Sequence, residues 1–87
     1  MKDNTQVLIY SSSLCGYCYQ AKTLLKKKNI SFQEIDVDED FYKKKEMIAK
    51  SNGRTSVPQI FFGDIHIGGC DDLLNLEKIG KLEIENE

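Results

Sequence analysis

A four-residue apolar run, Val7-Leu8-Ile9-Tyr10, gives way across Ser11-Ser12-Ser13 to a stretch of helical periodicity that opens at Cys15. This junction constrains the fold more than any other feature of the chain. A short unbroken apolar run is the pattern of a strand covered on both faces. Beyond Cys15, Ala21, Leu24 and Leu25 share one helix face with lysines opposite, and Asn29 ends the helix. A strand that leads through a helix into a second strand crosses over right-handedly, so the two strands are expected as parallel neighbours. Phe32–Val37, which alternates apolar and polar residues, is the second strand.

The rest of the chain follows by the same reasoning. Asp38-Glu39-Asp40 sets negative charge at the start of a second helix, where the dipole favours it. That helix carries Phe41, Met47, Ile48 and Ala49 and stops near Asn52-Gly53. Ser56-Val57-Pro58 is extended and leads into a third strand, Gln59–Phe62. Gly63-Asp64 is a tight turn, and Ile65-His66-Ile67 returns as a hairpin. Gly68-Gly69 breaks the strand, and a last helix begins near Asp71 with Leu73, Leu74, Leu76 and Ile79 as its apolar set, ending at Gly80. Glu83–Glu87 is expected to fray. The order β-α-β-α-β-β-α describes an α/β chain: a four-stranded mixed sheet flanked by three helices, one domain over 1–87.

Composition narrows the function classes. The 87 residues are 40% hydrophobic and 30% charged, with a net charge of −2, so no strong field draws the chain to nucleic acid. Lys26–Lys28 and Lys43–Lys45 read as solvated helix faces. No apolar run is long enough to span a bilayer, and Val7–Tyr10 is too short for a secretory signal. Three cysteines suit neither a disulfide framework nor a secreted mini-protein, so a cytoplasmic chain with reduced thiols is expected.

Cys15-Gly16-Tyr17-Cys18 carries the chemistry. The thiolate is the reactive form of cysteine, and the unpaired N–H groups that begin a helix stabilise a negative sulfur. Cys15 takes that place, and Cys18 lies almost one turn further in, close enough to attack a mixed disulfide formed at Cys15. Cys15 is therefore the expected nucleophile and Cys18 the resolving thiol, the two forming a redox-active disulfide. Two other readings exist: a pair of buried structural cysteines, or a zinc site built from Cys15, Cys18, His66 and Cys70. Zinc-binding pairs of this spacing usually sit in tight turns of metal-folded domains, whereas this pair opens a helix.

With these residues in view, the chain resembles the glutaredoxin family over nearly its whole length. Cys15-Gly16-Tyr17-Cys18 is similar to the family's active-site motif, Ser56-Val57-Pro58 to its Thr-Val-Pro element with a cis proline, and Gly68-Gly69-Cys70-Asp71-Asp72 to its glycine pair and last helix start. Thioredoxin is a poorer match, because the chain has no tryptophan and its motif lacks the Gly-Pro interior.

The resemblance implies a thioredoxin-like fold, a glutathione-disulfide oxidoreductase activity, and glutathione and disulfide-containing or glutathionylated proteins as partners. It places glutathione against Tyr17, Val57, Pro58, Gly69, Cys70, Asp71 and Asp72. The Val57 backbone would pair with the cysteinyl part, the amides of Cys70 and Asp71 would meet the α-carboxylate, and Asp72 the ammonium. The rival reading, compatible with it, is that Asp71 and Asp72 cap the helix and charge its N-terminus. Two positions depart from the pattern. Ser12 stands where the family commonly has a lysine, leaving Lys50 or Arg54 as the cation for glutathione's glycine carboxylate. Gly16 stands where many members have proline, and some members without it hold a [2Fe–2S] cluster between two subunits through the first cysteine and glutathione. Cys15 is then the ligand of an alternative carrier or sensor role; without a cluster the chain is expected to be a monomer.

Overall fold

The computed structural model describes residues 6–80. The element order is β1 (Val7–Ser11), α1 (Gly16–Lys27), β2 (Gln33–Asp36), α2 (Phe41–Lys50), β3 (Gln59–Phe62), β4 (Ile65–Gly68) and α3 (Cys70–Lys78), the order expected from the sequence. The tail at 83–87 lies outside the described residues.

The sheet runs β2-β1-β3-β4. β1 pairs in parallel with β2, Ile9 opposite Glu34, and antiparallel with β3, Ile9 opposite Ile60; β3 and β4 form the hairpin. Alternation along the two central strands builds two cores. Val7, Ile9 and Ile60 point to one face, where they pack with Ala21, Leu24 and Leu25 of α1 and Leu73 of α3. Tyr10 and Phe61 point to the other, where they pack with Val37 and with Met47 of α2. Covering on both faces is what made β1 apolar without interruption.

Several expected details shift. β2 is shorter than Phe32–Val37, because at the sheet edge only Gln33–Asp36 pair with β1; Phe32 and Val37 pack into opposite cores just beyond it. In α2, Phe41 and Ala49 are exposed, Ile48 is half-buried, and Met47 alone is fully buried. In α3, Leu74 is exposed, and Ile79 lies past the last helical residue and is exposed too. The third helix begins at Cys70, one residue before the expected start, with Gly69 as its N-cap. Among the described residues no helix is long and apolar enough to cross a membrane.

Candidate active site

Cys15 is the N-cap residue of α1. Its backbone is extended (φ −127°, ψ 110°), while its carbonyl already accepts the first helical bond from the Tyr19 N–H at 3.1 Å. The side chain of an N-cap residue points back at the free amides of the first turn. Here the Cys18 N–H donates to Cys15 Sγ at 3.1 Å. On its other side, Cys15 Sγ lies 3.8 Å from the Val57 carbonyl, to which the protonated thiol donates. The sulfur thus has an amide donor ready for its ionised form and an acceptor for its neutral one. Cys15 is partly exposed; Cys18 is buried at 1% exposure, and all three cysteines are free thiols. Burial, and then the neighbouring Cys15 sulfur, push the Cys18 thiol well above the ordinary thiol range.

The loop that delivers Cys15 is pinned from the segment just after β2. Asp38 Oδ2 accepts from Ser12 Oγ at 3.0 Å, from the Ser13 N–H at 3.1 Å and from Ser13 Oγ at 3.0 Å. The Ser12 hydroxyl first, then the Ser13 groups, hold the Asp38 carboxyl below its usual range.

Beside Cys15 runs a groove of about 250 Å³, lined by Tyr17, Arg54, Val57, Pro58, Gly69, Cys70, Asp71 and Asp72, together with Ser56. These include every residue expected around a glutathione site except Lys50. The Val57–Pro58 bond is cis. At the far end the Gly69 N–H donates to Asp72 Oδ2 at 2.9 Å, and Arg54 Nη1 lies 3.5 Å from the same oxygen. Asp72 therefore caps its own helix and also faces the groove, so its two expected roles are compatible. The amides of Cys70 and Asp71 open α3 with no acceptor inside the helix. At Gly69 a Cβ would stand 3.4 Å from the Pro58 carbonyl, an ordinary contact distance. Cys70, which lines the groove, is buried; burial, then Asp71, raise its thiol pKa. A second cleft, of about 490 Å³, shares Val57 and is lined on its far side by Ser12, Val37, Asp38, Glu39, Phe41, Lys44 and Thr55.

Lys50 is directed elsewhere. Its ammonium lies over the Phe61 and Tyr10 rings and donates to the Tyr10 hydroxyl at 3.4 Å. Arg54 is the groove's cation. Among the described residues no cluster of three or more His, Cys, Asp or Glu side chains could hold a metal ion. His66, one of the four residues of the zinc reading, instead turns its ring to Gln59.

The match to known proteins is extensive. The glutaredoxin family model matches residues 7–67, which span the thiol pair, the cis proline and both central strands. This chain belongs to the glutaredoxin family. Glutaredoxin 3 of Escherichia coli (strain K12) is 52% identical over 77 residues, covering 88% of this chain and 92% of that protein. The solution structure of glutaredoxin from Brucella melitensis superposes with a TM-score of 0.78 at 47% identity, over 88% of this chain and 83% of that one. The buckwheat glutaredoxin–glutathione complex gives a TM-score of 0.81 at 30% identity, over 90% and 73%. The glutaredoxin described here therefore has a thioredoxin-like fold and a role in thiol redox chemistry. Sequence reasoning missed two groups around its site, Ser56 in the groove wall and Asp38 behind the Cys15 loop. Asp38 was visible only as one of several acids before α2, and only the fold shows that it reaches the serines.

Proposed function

We propose that this glutaredoxin is a glutathione-dependent thiol–disulfide oxidoreductase in which Cys15 attacks and Cys18 resolves. The observation that carries the proposal is the placement of Cys15 Sγ between the Cys18 amide and the mouth of a groove walled by Val57 on one side and the start of α3 on the other. The buckwheat structure, a complex with glutathione, supports the choice of ligand.

With a glutathionylated protein, the Cys15 thiolate attacks the glutathione sulfur. The protein sulfur leaves as a thiolate and takes up a proton, and Cys15 carries the glutathionyl group. A second glutathione thiolate then attacks that sulfur, releasing glutathione disulfide and restoring Cys15. With a protein disulfide, Cys15 forms the mixed disulfide, Cys18 gives up its proton and attacks the Cys15 sulfur, and the substrate leaves as a dithiol. Two glutathiones reduce the resulting Cys15–Cys18 bond. The buried Cys18 resists ionisation, which favours the first route, where it takes no part.

In the groove the glutathionyl backbone pairs with the N–H and C=O of Val57, as an added strand would. The γ-glutamyl carboxylate meets the amides of Cys70 and Asp71, Asp72 faces the ammonium, and Tyr17 covers the sulfur. Arg54 is the cation for glutathione's glycine carboxylate. Such a cycle belongs in a reducing, cytoplasmic compartment. The test is a glutathione-coupled assay on a small glutathione mixed disulfide and on a protein disulfide. Cys15→Ser is expected to abolish both activities, and Cys18→Ser to spare the first. Loss of the first activity in Cys18→Ser alone would overturn the assignment. A coloured, glutathione-dependent dimer formed with iron and sulfide, lacking reductase activity, would instead assign the groove to a [2Fe–2S] cluster.

A further inference from the structure

Gln59 is a polar side chain with no exposure, set in the central strand β3 next to Ile60 and Phe61, which are themselves buried. A primary amide placed there must find partners for both its ends. Its Nε2 donates to the Ser56 carbonyl at 3.0 Å, with the Ser56 hydroxyl at 3.4 Å. Its Oε1 faces His66 Nε2 at 2.7 Å. Because the Ser56 carbonyl can only accept, the amide nitrogen is fixed on that side and the amide oxygen on the other. The oxygen in turn requires a proton on His66 Nε2. The His66 ring is held flat against Phe61, with centroids 4.9 Å apart and 29° between planes. Burial, then Arg54, keep this imidazole below its ordinary pKa, so the neutral Nε2–H tautomer supplies that proton.

The Ser56 carbonyl and the Val57 N–H belong to one planar peptide unit and point in opposite directions across it. A donor that holds the carbonyl from the interior therefore aims the Val57 N–H outward, away from the strand. That N–H donates to no protein acceptor among the described residues, and Val57 lines the groove beside Cys15.

We infer that Gln59 is a positioning residue: held in place by His66, it fixes the Ser56–Val57 peptide plane so that the Val57 N–H faces the backbone of a bound glutathionyl group. The inference rests on the proposed function, because it assigns a substrate-facing role to that amide. Arg54 and then Asp72, the charged groups that act on His66, bear on its charge and not on this hydrogen-bond path.

Gln59→Met keeps the length of the side chain and removes both polar ends. The expected result is a KM for a glutathionylated peptide raised about tenfold, the worth of one hydrogen bond, with kcat changed less than about twofold. His66→Phe, which keeps an aromatic ring against Phe61 and removes the ring nitrogens, the Nε2 donor among them, should raise KM about threefold, and the double variant should match Gln59→Met alone. An additive double variant, or an unchanged KM in both single variants, would overturn the inference. A second readout is independent of turnover. On titration with glutathione, the backbone amide resonance of Val57 should shift in the native chain, and its shift should shrink in Gln59→Met while the Asp71 amide still responds. Equal Val57 shifts in the two chains would refute the role of Gln59. Absence of glutathione-dependent turnover in the native chain would instead count against the proposed function.

Discussion

Gly68 lies directly beneath the Asp72 carboxylate, and a Cβ on Gly68 would occupy the space that carboxylate fills. Gly68 also has φ +120°, a conformation that side chains disfavour. The two facts have one origin. The strand must turn sharply out of β4 so that the Gly69 amide meets Asp72 and the start of α3 faces the groove. Gly68→Ala is therefore expected to destabilise the fold by about 1–3 kcal/mol. It should also weaken glutathione binding, because Asp72 can no longer hold both the Gly69 amide and Arg54. Thermal unfolding and a glutathione titration of the same variant check the two effects.

Gly16 presents the opposite case. A Cβ built there meets nothing within 4 Å, and the residue occupies the first helical position, where proline's missing N–H costs nothing. Cys15 before it has φ −127° and ψ 110°, the extended backbone that a following proline requires. Gly16→Pro is expected to raise stability by about 0.4–1 kcal/mol through the unfolded chain. The measurement is the shift of the denaturant midpoint, with reductase activity followed in parallel.

The burial of Cys18 makes its step pH-dependent. A thiol whose pKa is raised stays protonated across neutral pH, and its ionised fraction grows about tenfold per unit as pH rises below that pKa. Resolution of a mixed disulfide at Cys15 by Cys18 should therefore accelerate by about tenfold for each unit between pH 7 and 9, as long as its proton is lost before attack. In Cys18→Ser, turnover of a glutathione mixed disulfide depends on the glutathione thiolate instead, so its rise with pH should level off near the ordinary thiol pKa of about 8.5. Rapid-quench measurements on the isolated mixed disulfide would show the Cys18 step; a flat profile would mean that Cys18 is not the limiting group.

Much of the fold was legible because its strongest signals are local. The unbroken run Val7–Tyr10 reports coverage on two faces, and Asn29, Asn52 and Gly53, all with positive φ, end helices where residue type alone says they should. Most of the groove was legible through the glutaredoxin resemblance: Tyr17, Val57 and Asp72 lie in the three short motifs that carry it, while Cys15 beside them was read from its place at a helix start. What failed was the depth of burial on single helix faces. Phe41, Leu74 and Ile79 are as apolar as Met47 or Leu73, but α2 and α3 each cover only part of a sheet face, and the outer residues of each stripe stay in water. Lys50 failed for a related reason. It lies only a few residues before Ser56, yet the last turn of α2 carries its ammonium back over Tyr10 and Phe61. Gln59 was visible only as a polar residue at the head of an apolar strand, with nothing in its type to show that it reaches both back to Ser56 and across to His66.

The three sulfurs differ in how far they stand from solvent, and that difference has a practical use. Cys15 alone meets water, while Cys18 and Cys70 are sealed beneath it and beside it. A brief exposure of the folded chain to iodoacetamide should add a single carbamidomethyl mass. The ratio of tagged to untagged protein then counts, molecule by molecule, how much of a preparation stands ready for exchange.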